Sequence, residues 1–151
     1  MAGVTPKALL DQILELAVLI NQDMTGARWS RRGLTPARTH LLWELSHRGP
    51  STQRELADAL RVSARNVTGL VDGLEGTGFV TRAAHPTDRR ATLVTLTGHG
   101  EQVMRRMRGE HEQFASLLFA DLLERQRTAF AVGLEHVVHR LRTLVDSGEA
   151  Q

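Results

Sequence analysis

The sequence predicts a mainly α fold with one small antiparallel β-hairpin, and three observations carry that prediction. Apolar residues recur at helical spacing along most of the chain, cap signals divide it into several helices, and the period falls from 3.6 to 2 in one region only, just after Gly78. The apolar set Leu9, Leu10, Ile13, Leu14, Leu16, Ala17, Ile20 and Met24 predicts a first helix over about residues 6 to 27, broken by Trp29-Ser30-Arg31-Arg32-Gly33. Thr35 as N-cap with Pro36 at the first helical position starts the next helix, which runs to about His47 and is ended by Arg48-Gly49-Pro50. Thr52 followed three residues later by Glu55 has the capping-box form and opens a short helix through Leu60. After Arg61-Val62, Ser63 caps a further helix, and Gly78 stands where a left-handed residue would stop it. Two short helices joined by about four residues form a helix-turn-helix.

The hairpin follows directly. Residues 79 to 83 and 92 to 96 are rich in β-branched side chains, and Pro86 and Asp88 lie in the turn between them. An isolated two-stranded hairpin is marginal in water, so it must lean on the helices. Thr97-Gly98 then caps a long helix with Val103, Met107, His111, Phe114 and Leu118 at helical spacing. A last helix, from about Leu122 to Val145, carries a 3.5-residue seam of Phe130, Leu134, Val137, Leu141 and Leu144, flanked by Val138 and Val145. Apolar faces on helices at both ends exceed what the middle of a 151-residue chain can cover. The surplus predicts a partner helix from a second copy, a homodimer.

Charge distribution says more than the net +2. Between Arg28 and Arg108 there are 14 Arg against 7 Asp plus Glu, a balance of +7, whereas the flanks hold 5 Lys plus Arg against 10 acids, a balance of −5. A basic middle is the footprint expected for a phosphate backbone. Within it, the helix after Ser63 presents Val67, Leu70, Val71 and Leu74 as one apolar stripe. Its other side offers Arg65, Asn66 and Thr68, with small Ala64 and Gly69 between them. Arg and Asn match guanine and adenine edges in the major groove, and small neighbours permit close approach. Double-stranded DNA is therefore the expected partner.

Other chemistries find little support. No Ser/His/Asp or Cys/His constellation is present, the chain has no cysteine, and no cofactor is expected. His136 and His139 share i, i+3 spacing but have no carboxylate cluster beside them, so they read as a solvated or interface pair and no metal is expected. The glycines at 73, 76, 78, 98 and 100 do not form a phosphate-binding fingerprint and read as turns and caps. No segment approaches the roughly 20 unbroken apolar residues of a bilayer span, and a cytoplasmic protein without membrane contact is expected.

From about Leu34 to Leu118, and more loosely over its whole length, the sequence resembles the MarR family of transcriptional regulators. The most specific match is Asp88-Arg89-Arg90-Ala91-Thr92-Leu93-Val94-Thr95-Leu96-Thr97, similar to the family's wing signature. The run Arg65-Asn66-Val67-Thr68-Gly69-Leu70-Val71-Asp72 resembles the recognition helix of one large subset. The resemblance implies a single domain over residues 1–151: a winged helix-turn-helix lobe at 34–97, with dimerisation helices at 5–28 and 98–146. It implies a homodimeric repressor on a pseudo-palindromic operator. The helix from Ser63 would enter the major groove, and Arg90, assisted by Arg89, the neighbouring minor groove. Asp88 would orient an arginine. The helix starts at Thr35 and Thr52 would donate N–H groups to phosphate, with Arg38 and Arg54 beside them.

The resemblance also implies a cleft for a small aromatic or phenolic effector, bordered by Trp29, His40, Trp43, Met107, His111, Phe114 and Phe119. One position departs from the family pattern. Arg61 stands where glycine is usual, so a left-handed backbone there would cost roughly 1 to 2 kcal/mol unless the turn takes another geometry or the charge serves phosphate. The rival reading is a winged-helix adaptor whose arginine-rich wing contacts an acidic protein partner; an enzyme is the weaker rival.

Overall fold

The computed structural model describes residues 3–24 and 33–148. Its elements in chain order are α1 (Pro6–Met24), α2 (Pro36–Arg48), β1 (Ser51–Thr52), α3 (Gln53–Leu60), α4 (Ala64–Gly76), β2 (Val80–Ala84), β3 (Thr92–Leu96), α5 (Gly98–Leu118) and α6 (Glu124–Ser147). The backbone divides into two compact units, residues 1–106 and 107–151, with the boundary inside α5. The expected mainly α architecture with a small sheet is present, and each predicted helix start lies within two residues of its observed position.

The first unit holds a sealed core. Leu41, Leu42 and Leu45 of α2, Leu56 of α3, Val67, Val71 and Leu74 of α4, Val80 of β2 and Val94 of β3 are all at 2% exposure or less. Each such side chain contributes about 1.5 to 3 kcal/mol of burial. The stripe predicted on α4 is the face that turns inward, although Leu70 is only half-buried at its edge. By contrast α1, in the same unit, buries none of its described side chains.

The sheet has three strands, not the two of a lone hairpin, in the order β1-β3-β2, all antiparallel. Ser51 pairs with Val94 and Thr52 with Leu93. A two-residue strand running straight into the N-cap of α3 is too short to show a period, which is why alternation misses it. Val80 pairs with Leu96 and Ala84 with Thr92, so the hairpin opens into a turn over residues 85–91.

Two helix ends use the same terminating geometry with different residues. After α4, Gly78 has φ +80°, its N–H bonds to the Glu75 carbonyl at 3.0 Å, and the Phe79 N–H reaches the Leu74 carbonyl at 2.9 Å. After α3, Arg61 has φ 53° and ψ 43°, its N–H bonds to the Asp58 carbonyl at 3.3 Å, and the Val62 N–H reaches the Ala57 carbonyl at 3.1 Å. Both are Schellman caps, which require a left-handed residue. The turn therefore keeps the left-handed backbone despite carrying arginine, and Arg61 is the one non-glycine residue with positive φ among those described.

Two glycines expected in turns or caps serve close packing instead. Gly73 lies inside α4 beneath the guanidinium of Arg38, which a Cβ would displace. Gly100, in the first turn of α5, lies against the Phe79 carbonyl, where a Cβ has no room. The start of α5 is fixed by Thr97, whose hydroxyl accepts from the Gly100 N–H at 3.0 Å and donates to the Gly78 carbonyl at 2.6 Å.

In the second unit, α6 buries none of its residues. Of the predicted seam and its flanks, Phe130, Leu134, Val137, Val138, Leu141 and Val145 are 38 to 58% exposed and Leu144 is half-buried. Among the described residues no helix is long and apolar enough to cross a membrane.

Candidate nucleic-acid interface

The helix-turn-helix consists of α3 and α4. Ser63 caps α4 through its side-chain oxygen, which accepts from the Asn66 N–H at 3.1 Å. With Val67, Val71 and Leu74 turned into the core, Ala64, Arg65, Asn66, Thr68 and Gly69 are all exposed on the outer side. A Cβ at Gly69 would meet nothing within 4 Å, so no intramolecular contact explains a glycine there, which costs a helix interior about 1 kcal/mol. Thr68 is tied inward: its hydroxyl lies 3.0 Å from the Ala64 carbonyl and 3.1 Å from Oε1 of Gln53 on α3. One hydroxyl proton cannot satisfy both acceptors, so turning the Gln53 amide to donate serves both contacts. Gln53 was missed from sequence because a single glutamine at a helix start carries no pattern.

The remaining predicted contacts are distributed less simply. Thr35 caps α2, its oxygen accepting from the Arg38 N–H at 3.3 Å. Arg38 itself is half-buried, donates to the Gly33 carbonyl at 2.9 Å and covers Gly73, so its guanidinium serves the lobe internally rather than standing clear for phosphate. At Thr52 the capping box is complete. The Thr52 hydroxyl accepts from the Glu55 N–H at 3.2 Å, and the Glu55 carboxylate accepts from the Thr52 N–H at 2.7 Å. Hydrogen bonds to the Thr52 backbone and hydroxyl hold the Glu55 carboxyl below its ordinary value, with smaller help from the charges of His85 and Arg48. A carboxylate thus occupies the Thr52 N–H, one of the N–H groups of a helix start that was expected to face phosphate. Arg54 is exposed beside a groove of about 480 Å³ that it lines with Gln53, Arg82, Asp88 and Thr92.

At the hairpin tip Arg89 and Arg90 are exposed. Asp88 does not orient a guanidinium as expected; its carboxylate accepts from the backbone N–H of Arg90 at 2.9 Å and so shapes the turn. His85 Nδ1 accepts from the N–H groups of Thr87 at 3.2 Å and Asp88 at 3.1 Å, completing that order. Arg82, on β2, is the other residue that periodicity alone did not single out. It faces the same way as Val80 and donates to Asp72 at 2.5 Å and to Glu75, both on α4. An arginine at an inward strand position, with two acids three residues apart on the preceding helix, was the signal available.

The candidate effector residues fall into separate parts of the structure. Trp29 lies outside the described residues. His40 is exposed on α2, where Trp43 stacks on His47 at 5.6 Å. Met107 is buried, Phe114 half-buried and His111 exposed, all in the second unit. None of these lines the groove of about 590 Å³ formed by Thr77, Phe79, His99, Gln102, Val103 and Arg106 in the first unit. Among the described residues no group of three or more His, Asp or Glu is placed to hold a metal ion.

A helix-turn-helix on a sealed core, followed by a sheet whose arginine-tipped turn projects beside it, defines a winged helix-turn-helix protein. The family model for the MarR family matches residues 34–92. The chain is 30% identical over 118 residues to the HTH-type transcriptional regulator YdgJ of Bacillus subtilis (strain 168), covering 78% of this chain and 70% of that protein. It is also 29% identical over 119 residues to the HTH-type transcriptional repressor YetL of the same organism, covering 76% of this chain and 70% of that one. Among solved structures, FabT of Streptococcus pneumoniae in complex with DNA superimposes with a TM-score of 0.76 at 20% identity, over 91% of this chain and 95% of that one, a likeness of fold. The chain belongs to the MarR family of transcriptional regulators.

Proposed function

We propose that the protein is a cytoplasmic, homodimeric repressor that reads a pseudo-palindromic double-stranded DNA site. In this reading α4 enters the major groove with Arg65 and Asn66 toward base edges, and Arg90 with Arg89 enters the adjacent minor groove, reading its width. The observation that carries the reading is the two-faced α4: Val67, Val71 and Leu74 are fully buried while Arg65, Asn66 and Gly69 are exposed, the glycine with no packing reason of its own. That FabT was solved on DNA and that YetL is a repressor support the same direction.

Dimerisation follows from the uncovered faces of α1 and α6. Leu9, Leu10, Ile13, Leu14, Leu16, Val18 and Leu19 are 36 to 56% exposed, as is most of the α6 seam. Apolar surface of this extent marks an interface. A two-fold pair of reading helices matches half-sites one helical turn apart. A small aromatic or phenolic ligand, bordered by residues including His40, Trp43, Met107, His111 and Phe114, would act by changing that spacing.

Fluorescence-anisotropy titration of a duplex at several salt concentrations tests the reading. Arg90→Ala should weaken binding to all sequences and flatten the salt dependence, whereas Asn66→Ala should relax sequence preference. Absence of duplex binding by the wild type at low salt would sink it in favour of an adaptor with an acidic protein partner.

A further inference from the structure

Asp72 and Glu75 break a local rule. They lie in the C-terminal half of α4, where the helix dipole disfavours carboxylates, and the last turn carries no basic residue to offset them. They also place negative charge on the helix proposed to approach phosphate. Their compensation comes from outside the helix, from the one guanidinium of Arg82. It spans both carboxylates as a fork, donating from one nitrogen to Asp72 at 2.5 Å and from the other to Glu75. The Arg82 side chain is 27% exposed while the Asp72 and Glu75 carboxylates are open to solvent, so the contact gains more from its forked geometry than from shielding; the Asp72 hydrogen bond is the main reason the guanidinium holds its proton more tightly than usual.

The position of Arg82 in the sheet gives the fork its consequence. On β2 it pairs with Val94 of β3, on the inward face that Val80 starts. Val80 and Val94 anchor the hairpin to the core; beyond Arg82, β2 carries only Ala83 and Ala84 before the turn, while on β3 the half-buried Leu93 is paired with Thr52 of β1. The fork is thus the last side-chain attachment recorded between α4 and the strand that leads to Arg89 and Arg90. We infer that Arg82 is a positioning residue, which through Asp72 and Glu75 sets the angle between the reading helix and the wing and so fixes where Arg90 meets DNA. This rests on the DNA-reading function proposed above.

Position and charge make opposite predictions. Asp72→Ala with Glu75→Ala removes both acceptors and so releases the fork, while making the lobe more positive by two charges. If Arg82 acted only by neutralising α4, this double variant would bind DNA more tightly and Arg90 would matter as much as before. If Arg82 positions the wing, Arg90 loses its role. The experiment measures the factor by which Arg90→Ala weakens binding in each background, using a duplex from upstream of the protein's own gene at fixed salt. In the wild type that factor should be about tenfold, the scale of one arginine contact. In the released background it should fall below about threefold, a coupling of the kind double-mutant cycles detect.

Arg82→Lys, which keeps the charge and loses the fork, should shrink the Arg90 factor in the same way, and serves if the double variant does not fold. An Arg90 factor equal in wild-type and fork-released backgrounds overturns the inference alone. No duplex binding by the wild type overturns the DNA reading and the inference with it.

Discussion

The reading lobe and the end helices are built on opposite principles. In the lobe, α2, α3, α4 and the sheet close over a core in which Leu41, Leu56, Val67 and Val71 have no solvent exposure. In α1 and α6 the same types of residue, at equally regular spacing, remain open: Leu14 and Leu141 are each 56% exposed. Periodicity alone does not separate a face covered by its own chain from one that needs another. The difference is that the lobe closes over its own core, whereas in the proposed homodimer the ends would gain their burial on association.

Breaking the open face should have the largest effect. Val137→Glu with Leu141→Glu places charge on the α6 seam, and sedimentation should report monomers. Loss of the paired reader should then weaken specific DNA binding by at least about a hundredfold, the scale of lost bivalency. Breaking the closed face acts on stability instead. Leu56→Ala should lower the unfolding free energy by about 2 to 5 kcal/mol in a denaturant titration, with the oligomeric state of the folded fraction unchanged.

Smaller effects sharpen the contrast within the lobe. Thr52→Ala removes the cap acceptor and should cost about 1 kcal/mol. The same cap is pH-dependent. The Glu55 carboxyl is held below its ordinary value in the folded protein, so its contribution is complete above the ordinary glutamate range and is lost as pH falls through the lowered value. Thermal melts of wild type and Thr52→Ala should therefore converge on acidification. Arg61→Gly relieves a left-handed arginine and should raise stability by up to about 1 kcal/mol, less than the full strain because glycine loosens the unfolded chain.

Much of this contrast was legible in the sequence. The Thr35, Thr52 and Ser63 caps, the Gly78 stop and strand β3 followed from local chemistry, which acts within one turn of helix and needs no knowledge of the fold. Features that depend on distant partners were not legible. Strand β1 exists because Ser51 and Thr52 meet β3, Gly100 is required by the Phe79 carbonyl, and Arg38 is drawn inward by Gly33 and Gly73. The exposed face of α4, proposed above to read DNA, was recognisable as an outer face because its residues differ in type from the stripe behind them. Asp88 was misassigned because composition cannot distinguish a carboxylate that binds a guanidinium from one that caps its own turn.

The central claim is that two closed lobes are held by open-faced ends into a single symmetric reader. Hydroxyl-radical footprinting on the DNA upstream of the protein's own gene tests it most directly. The account predicts two equivalent protected half-sites about one helical turn, roughly 34 Å, apart, both lost together in the Val137→Glu, Leu141→Glu variant. One unpaired protected segment that survives in that variant would contradict it.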